Sequence, residues 1–147
     1  MSPAVPYRLY NDFIRHGIDD RELYRCAAAE VTEPGLQVVL HESADSLNAM
    51  IGELQLQVRC SGHVPARHGT PFGALRRWTL AHWDQLRAGQ HDRRWIHRLL
   101  RSEGALLKLI ERRIPCVTPD AAQILRRQLS RLHGIHLDMH SLERSPR

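Results

Sequence analysis

The sequence predicts an all-α protein, a four-helix bundle made of two antiparallel hairpins. Leu, Ala, Arg, Gln and Glu are abundant while Phe occurs only twice and β-branched runs are scarce, a balance that favours helix over strand. Glu33-Pro34-Gly35, Ser61-Gly62-His63-Val64-Pro65, Ala88-Gly89-Gln90 and Ile114-Pro115-Cys116 cut the chain into five pieces. Within the pieces apolar residues recur at helical spacing. The expected organisation is one domain, 1–147, with helices at about 7–32, 34–60, 71–88, 91–114 and 119–143.

In the first piece Tyr10, Phe13, Gly17, Tyr24, Ala28 and Val31 share a face only if the helix passes through Gly17. Asp19-x-x-Glu22 reads as a capping box that restarts it, so a kink or break is expected near Gly17. The second piece places Leu40, Ala44, Leu47, Ile51, Leu54 and Val58 on one seam, with Pro34 in the first turn, where its missing amide donor costs nothing. The third, Thr70 to Ala88, is expected to be a shorter helix carrying Trp78 and Trp83. The fourth gathers Ile96, Leu99, Leu100, Leu106, Leu107, Ile110 and Ile114 on a broad face, with Asp92 as a cap or first-turn residue. The last repeats a 4-3 spacing through Ala121, Leu125, Gln128, Leu132, Ile135, Met139 and Leu142, after a Thr118-Pro119-Asp120 start that supplies cap, proline and early acid. Long helices of this kind span about 36 to 40 Å at 1.5 Å per residue. Short connections make hairpins of the first and second pieces and of the fourth and fifth. The residues between the hairpins suffice to cross the bundle end to end, with the short helix covering part of its side.

Composition excludes several function classes. No apolar run approaches the roughly 18 residues of a membrane span, and Met1-Ser2-Pro3-Ala4-Val5-Pro6 lacks the basic and apolar segments of a signal peptide, so a cytoplasmic protein without a membrane partner is expected. Cys26, Cys60 and Cys116 have no Cys-x-x-Cys spacing and read as separate reduced thiols. Cys60, His63 and His68 resemble a zinc half-site but lack a second pair of ligands. No phosphate loop, nucleophile elbow or Cys-His pair is visible. The net charge of +5 is unevenly spread: residues 1–58 hold four Arg against nine acids, and residues 59–147 hold 17 Lys+Arg against seven. No helix-turn-helix, zinc-finger or RNA-recognition pattern accompanies the basic half, so nucleic acid ranks below a protein partner or another copy.

Ionisable residues on apolar seams are the places where chemistry can sit, because an unpaired charge in a core costs several kcal/mol. At 100° per residue Glu103 points into the face made by Leu99, Leu106, Leu107 and Ile110. His136 lies on the flank of the last seam. Together they are expected to form a buried pair, to bond a tyrosine such as Tyr24 or Tyr10, or to bind a metal. His133, His136 and His140 have the spacing for a metal on one helix side, although His133 and His140 fall outside the apolar stripe.

Leu9-Tyr10-Asn11-Asp12-Phe13-Ile14, Glu22-Leu23-Tyr24 with Ala27-Ala28-Ala29-Glu30, Gly73-Ala74-Leu75-Arg76-Arg77-Trp78 and Ser102-Glu103-Gly104-Ala105 occur in the order and near the spacing of a known pattern. Over roughly residues 8–144 the chain resembles the bacterial ferritin-like four-helix-bundle proteins of unknown function. Those typically read Leu-Asn-Asp-Leu-Ile, Glu-Gly-Tyr with Ala-Ala, Gly-Ala-Leu-His-Arg-x-Trp and Gly-Glu-Asp. The resemblance implies two hairpins joined by a long crossover that carries a short extra helix. Metal-bearing members of the wider fold carry Glu on two helices and Glu-x-x-His on two others. Only Glu103 and His136, with Asp20 as the inward acid of the first helix, stand in comparable places. The second seam has neither Glu nor His, His133 replaces a Glu, and Gly104 and Leu137 replace acids, so a complete di-iron centre is not expected.

The leading expectation is a non-catalytic module that associates with itself or with another protein, with no cofactor. Trp78, Trp83, Arg76 and Arg77 are its expected interaction surface. The rival is a bundle binding iron, manganese or zinc through Glu103, His136 and Asp20, with Tyr24 as the polar partner in the core.

Overall fold

Proline and glycine set the helix ends in the computed structural model, which describes residues 7–71 and 91–144. Among the described residues there are four α-helices, α1 (Tyr7–Glu30), α2 (Pro34–Cys60), α3 (His91–Arg113) and α4 (Pro119–Arg144), with a 3-10 turn at Ile114–Cys116 and no strand. α2 begins on an extended Glu33 followed by Pro34. It ends where Gly62 takes a φ of 82° and the His63 amide reaches back to the Val58 carbonyl at 3.1 Å, a glycine-terminated C-cap. Thr118 opens α4, its carbonyl and hydroxyl accepting from Ala122 and Ala121. The expected helix at 71–88, and with it Trp78, Trp83, Arg76 and Arg77, lies outside the described residues.

The expected break near Gly17 is not there: α1 runs unbroken from Tyr7 to Glu30. The reason is tertiary. A Cβ on Gly17 would stand 2.8 Å from Met50 Cε and 3.2 Å from Ile51 Cγ1, so glycine lets α1 and α2 approach closely enough to outweigh its poor helix propensity. α1 also stops at Glu30, two residues short of the expected end, and Thr32 and Glu33 turn the chain instead.

α1 packs on α2 and α3, and α4 packs on α3 and α2, giving a square in the order α1, α2, α4, α3. The seams meet in one core in which Phe13, Tyr24, Leu40, Leu47, Leu54, Trp95, Leu99, Ile110, Leu125 and Met139 are fully buried. Burial of such side chains contributes roughly 1.5–3 kcal/mol each before conformational entropy is counted. Glu53 of α2 bridges Arg127 and Arg131 of α4 at 2.6 and 2.9 Å, so the acidic first hairpin meets the basic second one. Burial pushes the Glu53 carboxyl up, but hydrogen bonds from Gln128 and Arg127 and the Arg131 charge prevail and hold it below its ordinary value.

Two further ties fix the ends of the helices. The chain leaving α2 turns back along α1: Asn11 accepts from the Ala66 amide at 2.8 Å and donates to the Val64 carbonyl at 3.2 Å. Farther along, Asp19 accepts from the Thr70 amide and hydroxyl, where a Cβ on Gly69 would collide with the carboxylate. α3 starts at the opposite end, its Asp92 carboxylate bonded to Thr32 and Glu33 in the α1–α2 turn. α2 and α3 therefore start at the same end and run in the same direction.

Candidate functional site

The polar interior lies between α1 and α3. Glu103 is 0% exposed, held there by the flanking Leu99, Leu106, Leu107 and Ile110 of its own face, and Tyr24, also 0% exposed, donates to its Oε2 at 3.1 Å. One turn earlier on α1, buried Asp20 accepts a short hydrogen bond from the Ser102 hydroxyl. The other carboxyl oxygen of Glu103, Oε1, is buried with no hydrogen-bond partner.

Electrostatics follow from this enclosure. Burial pushes the Glu103 carboxyl from its ordinary 4.5 up to about 8, and the nearby charges of Asp20 and Asp138 push the same way, against the Tyr24 hydrogen bond. Glu103 is therefore mostly protonated at neutral pH. Burial, followed by the charges of Glu103 and Asp20, raises Tyr24 well above the usual phenol range. The pair is a neutral acid and a neutral phenol in a buried interface, able to bind or release one proton but closed to a substrate.

The sequence-predicted residues are brought together only in part. Glu103, Asp20 and Tyr24 share the α1–α3 interface. His136 is half-buried on the flank of α4, its ring meeting that of His140 edge to face at 4.8 Å. Burial and then the His140 and His133 charges lower its pKa, and neither Glu103 nor Asp20 is among the groups that shift it. His133 instead lies 3.7 Å from Glu111. Among the described residues no group of three or more His, Cys, Asp or Glu could hold a metal ion. Glu103 and Asp20 lie at the α1–α3 interface and His136 on the flank of α4, and among the described residues they do not join in such a group. The zinc half-site fares no better: His63 stacks on Tyr7 at 3.6 Å between ring centroids, and Cys60 points to solvent.

Sequence reasoning missed Asn11, Asp19 and Ser102. All three stand in motifs already noted, but their partners come from distant segments that local spacing does not reveal. It also missed a shallow pocket of about 270 Å³ lined by Tyr7, Tyr10, Gln57, Cys60, Thr118 and Ile124, at the end of the bundle where α1 and α4 start. Compared with known proteins, the chain matches no family model, no curated protein and no solved structure.

Proposed function

We propose that this chain is a ferritin-like bundle that works by self-association, its interior polar pair serving the fold and its outward helix poles serving contact. The shared direction of α2 and α3 supports the crossover topology, since a link between helices that start at the same end has to run the length of the bundle. The closed Glu103–Tyr24 pair supports a non-catalytic role, because no reacting group faces solvent there.

The observation that carries the self-association reading is the placement of two glycines. Gly52 and Gly134 sit inside long helices, exposed, with nothing within 4 Å of an added Cβ. Each costs its helix about 1 kcal/mol relative to alanine, and no internal packing offsets that cost, in contrast to Gly17. Close approach of another backbone does offset it. On α2 the outward row is Val38, Glu42, Asp45, Ala49, Gly52 and Leu56, with Val38 and Leu56 more than half exposed. On α4 the row is Arg127, Ser130, Gly134 and Leu137, with Leu137 68% exposed. The α2 row carries two acids and the α4 row one arginine, Arg127, which also reaches Glu53, and both rows alternate steps of three and four residues around a glycine.

Light scattering with a dilution series tests this. A defined oligomer is expected, and Gly52→Leu and Gly134→Leu are each expected to shift it toward monomer at least tenfold in dissociation constant. Chemical denaturation of the dilute monomer should show Gly52→Ala gaining about 1 kcal/mol, because the new methyl meets open space. A wild-type chain that stays monomeric at high concentration refutes the reading.

A further inference from the structure

The outward pole of α3 is unlike those of α2 and α4. Taking Trp95, Ile96, Leu99, Leu100, Glu103, Leu106, Leu107 and Ile110 as the inward face, the diametrically opposite line carries Arg94, Arg98, Arg101, Ala105, Lys108 and Arg112 at spacings of 4-3-4-3-4. Five of the six are cations. Arg101, Lys108 and Arg112 are exposed and Arg94 and Arg98 half-exposed, and none of the five has an ion-pair partner among the described residues. Attraction to the negative end of the helix accounts for Arg112 alone, since that effect fades within one turn.

We propose that this pole docks on the phosphate backbone of duplex DNA. The row is about 27 Å long at 1.5 Å per residue and of a single sign, which suits a linear polyanion carrying about one charge per 1.7 Å. Four of the five cations are arginines, whose planar forks match phosphate oxygens two at a time. A second copy fits less well, because the α2 pole offers only Glu42 and Asp45 against five cations. A bilayer also fits less well, because the pole has no apolar residue larger than Ala105. An exposed helix matches the roughly 12 Å width of the B-form major groove, whereas the major groove of A-form RNA is too narrow to admit it. With no aromatic on the row, the contact is to backbone and independent of base sequence. The inference goes beyond self-association and stands apart from it, since it uses α3 and not α2 or α4.

Fluorescence anisotropy of the full chain with a labelled duplex DNA of mixed sequence tests it. Binding is expected at low salt, with log affinity falling against log salt at a slope of up to about −4.5 for five contacts. Arg101→Glu with Lys108→Glu should weaken binding at least tenfold and flatten the slope by about 2. Arg59→Glu with Arg126→Glu, the same change in charge off the pole, should leave the slope as it is. Circular dichroism confirms folding, and Arg101→Gln with Lys108→Gln replaces the reversal if that variant unfolds. No binding at low salt, or equal losses from both double variants, overturns the proposal. So does an RNA duplex or an anionic phosphatidylserine vesicle that binds as tightly as the DNA.

Discussion

Glu103→Gln is expected to abolish most of the pH dependence of stability between about pH 4.5 and about pH 8, so that its stability curve crosses that of the wild type. In the folded chain burial holds a proton on Glu103 up to about pH 8, whereas the unfolded chain releases it near 4.5. Between those values the folded state binds more protons, so stability is fully present below the unfolded value and falls as pH rises, by up to about 1.4 kcal/mol per unit. The whole window amounts to a loss on the order of 5 kcal/mol by alkaline pH. Glutamine keeps the shape and can still accept from Tyr24, but it brings two amide donors to the position where Oε1 already lacks a partner. Leaving them unmet costs about 1–3 kcal/mol. The variant should therefore be less stable than wild type at pH 5 and more stable at pH 9, as read by urea denaturation across the range. Curves that stay parallel would show that Glu103 is not the group that titrates. Tyr24→Phe supplies the companion result. Removing the hydroxyl that lowers the Glu103 pKa should extend the loss of stability to higher pH, so that a cost of about 1–3 kcal/mol at low pH grows as the pH rises.

The inward position of Glu103 and its approach to Tyr24 were legible because both follow from one helix's angular arithmetic and a short choice of partners. The seams of α2 and α4 were legible for the same reason, their 4-3 spacing leaving one face to bury. Gly17 misled because glycine weakens a helix in isolation, and the compensation comes from Met50 and Ile51 on a different helix. Asp92 is the first-turn acid that its place in the sequence indicates, but the place does not reveal that its oxygens also serve a turn some 60 residues earlier in the chain. Glu103 bonds Tyr24 while the His136 ring meets that of His140, because a flank position on α4 fixes an angle but not which neighbour lies beside it. Periodicity reports which way a side chain points; only packing reports what it meets. The charge asymmetry gained meaning in this way too, since Glu53 between Arg127 and Arg131 uses part of it inside the fold and the α3 pole leaves the rest outside.

Asp92→Ala is expected to cost about 3 kcal/mol, more than any single surface ion pair in the bundle. The carboxylate is 5% exposed and accepts from the Thr32 amide at 2.9 Å, the Thr32 hydroxyl at 3.0 Å and the Glu33 amide at 3.2 Å. Those two amides lie in the short turn between α1 and α2, where helix geometry offers them no carbonyl. Hydrogen bonds to a charged acceptor contribute roughly 1.5–3 kcal/mol each, and donors left buried add a penalty. Three of them exceed the estimate if summed, but the turn lies at the end of the bundle, where water can replace part of what is lost. By tying the start of α3 to the first hairpin's turn, Asp92 also joins the two hairpins, so its removal should loosen their association as well as the turn. Asp92→Asn separates the two contributions, because the amide can keep one accepting oxygen but brings donors where acceptors are needed. It should recover less than half of the loss in urea denaturation. Amide exchange at Thr32 and Glu33 should accelerate more than exchange in the middle of α2. A variant with unchanged exchange at these two amides would show that the turn holds itself without α3.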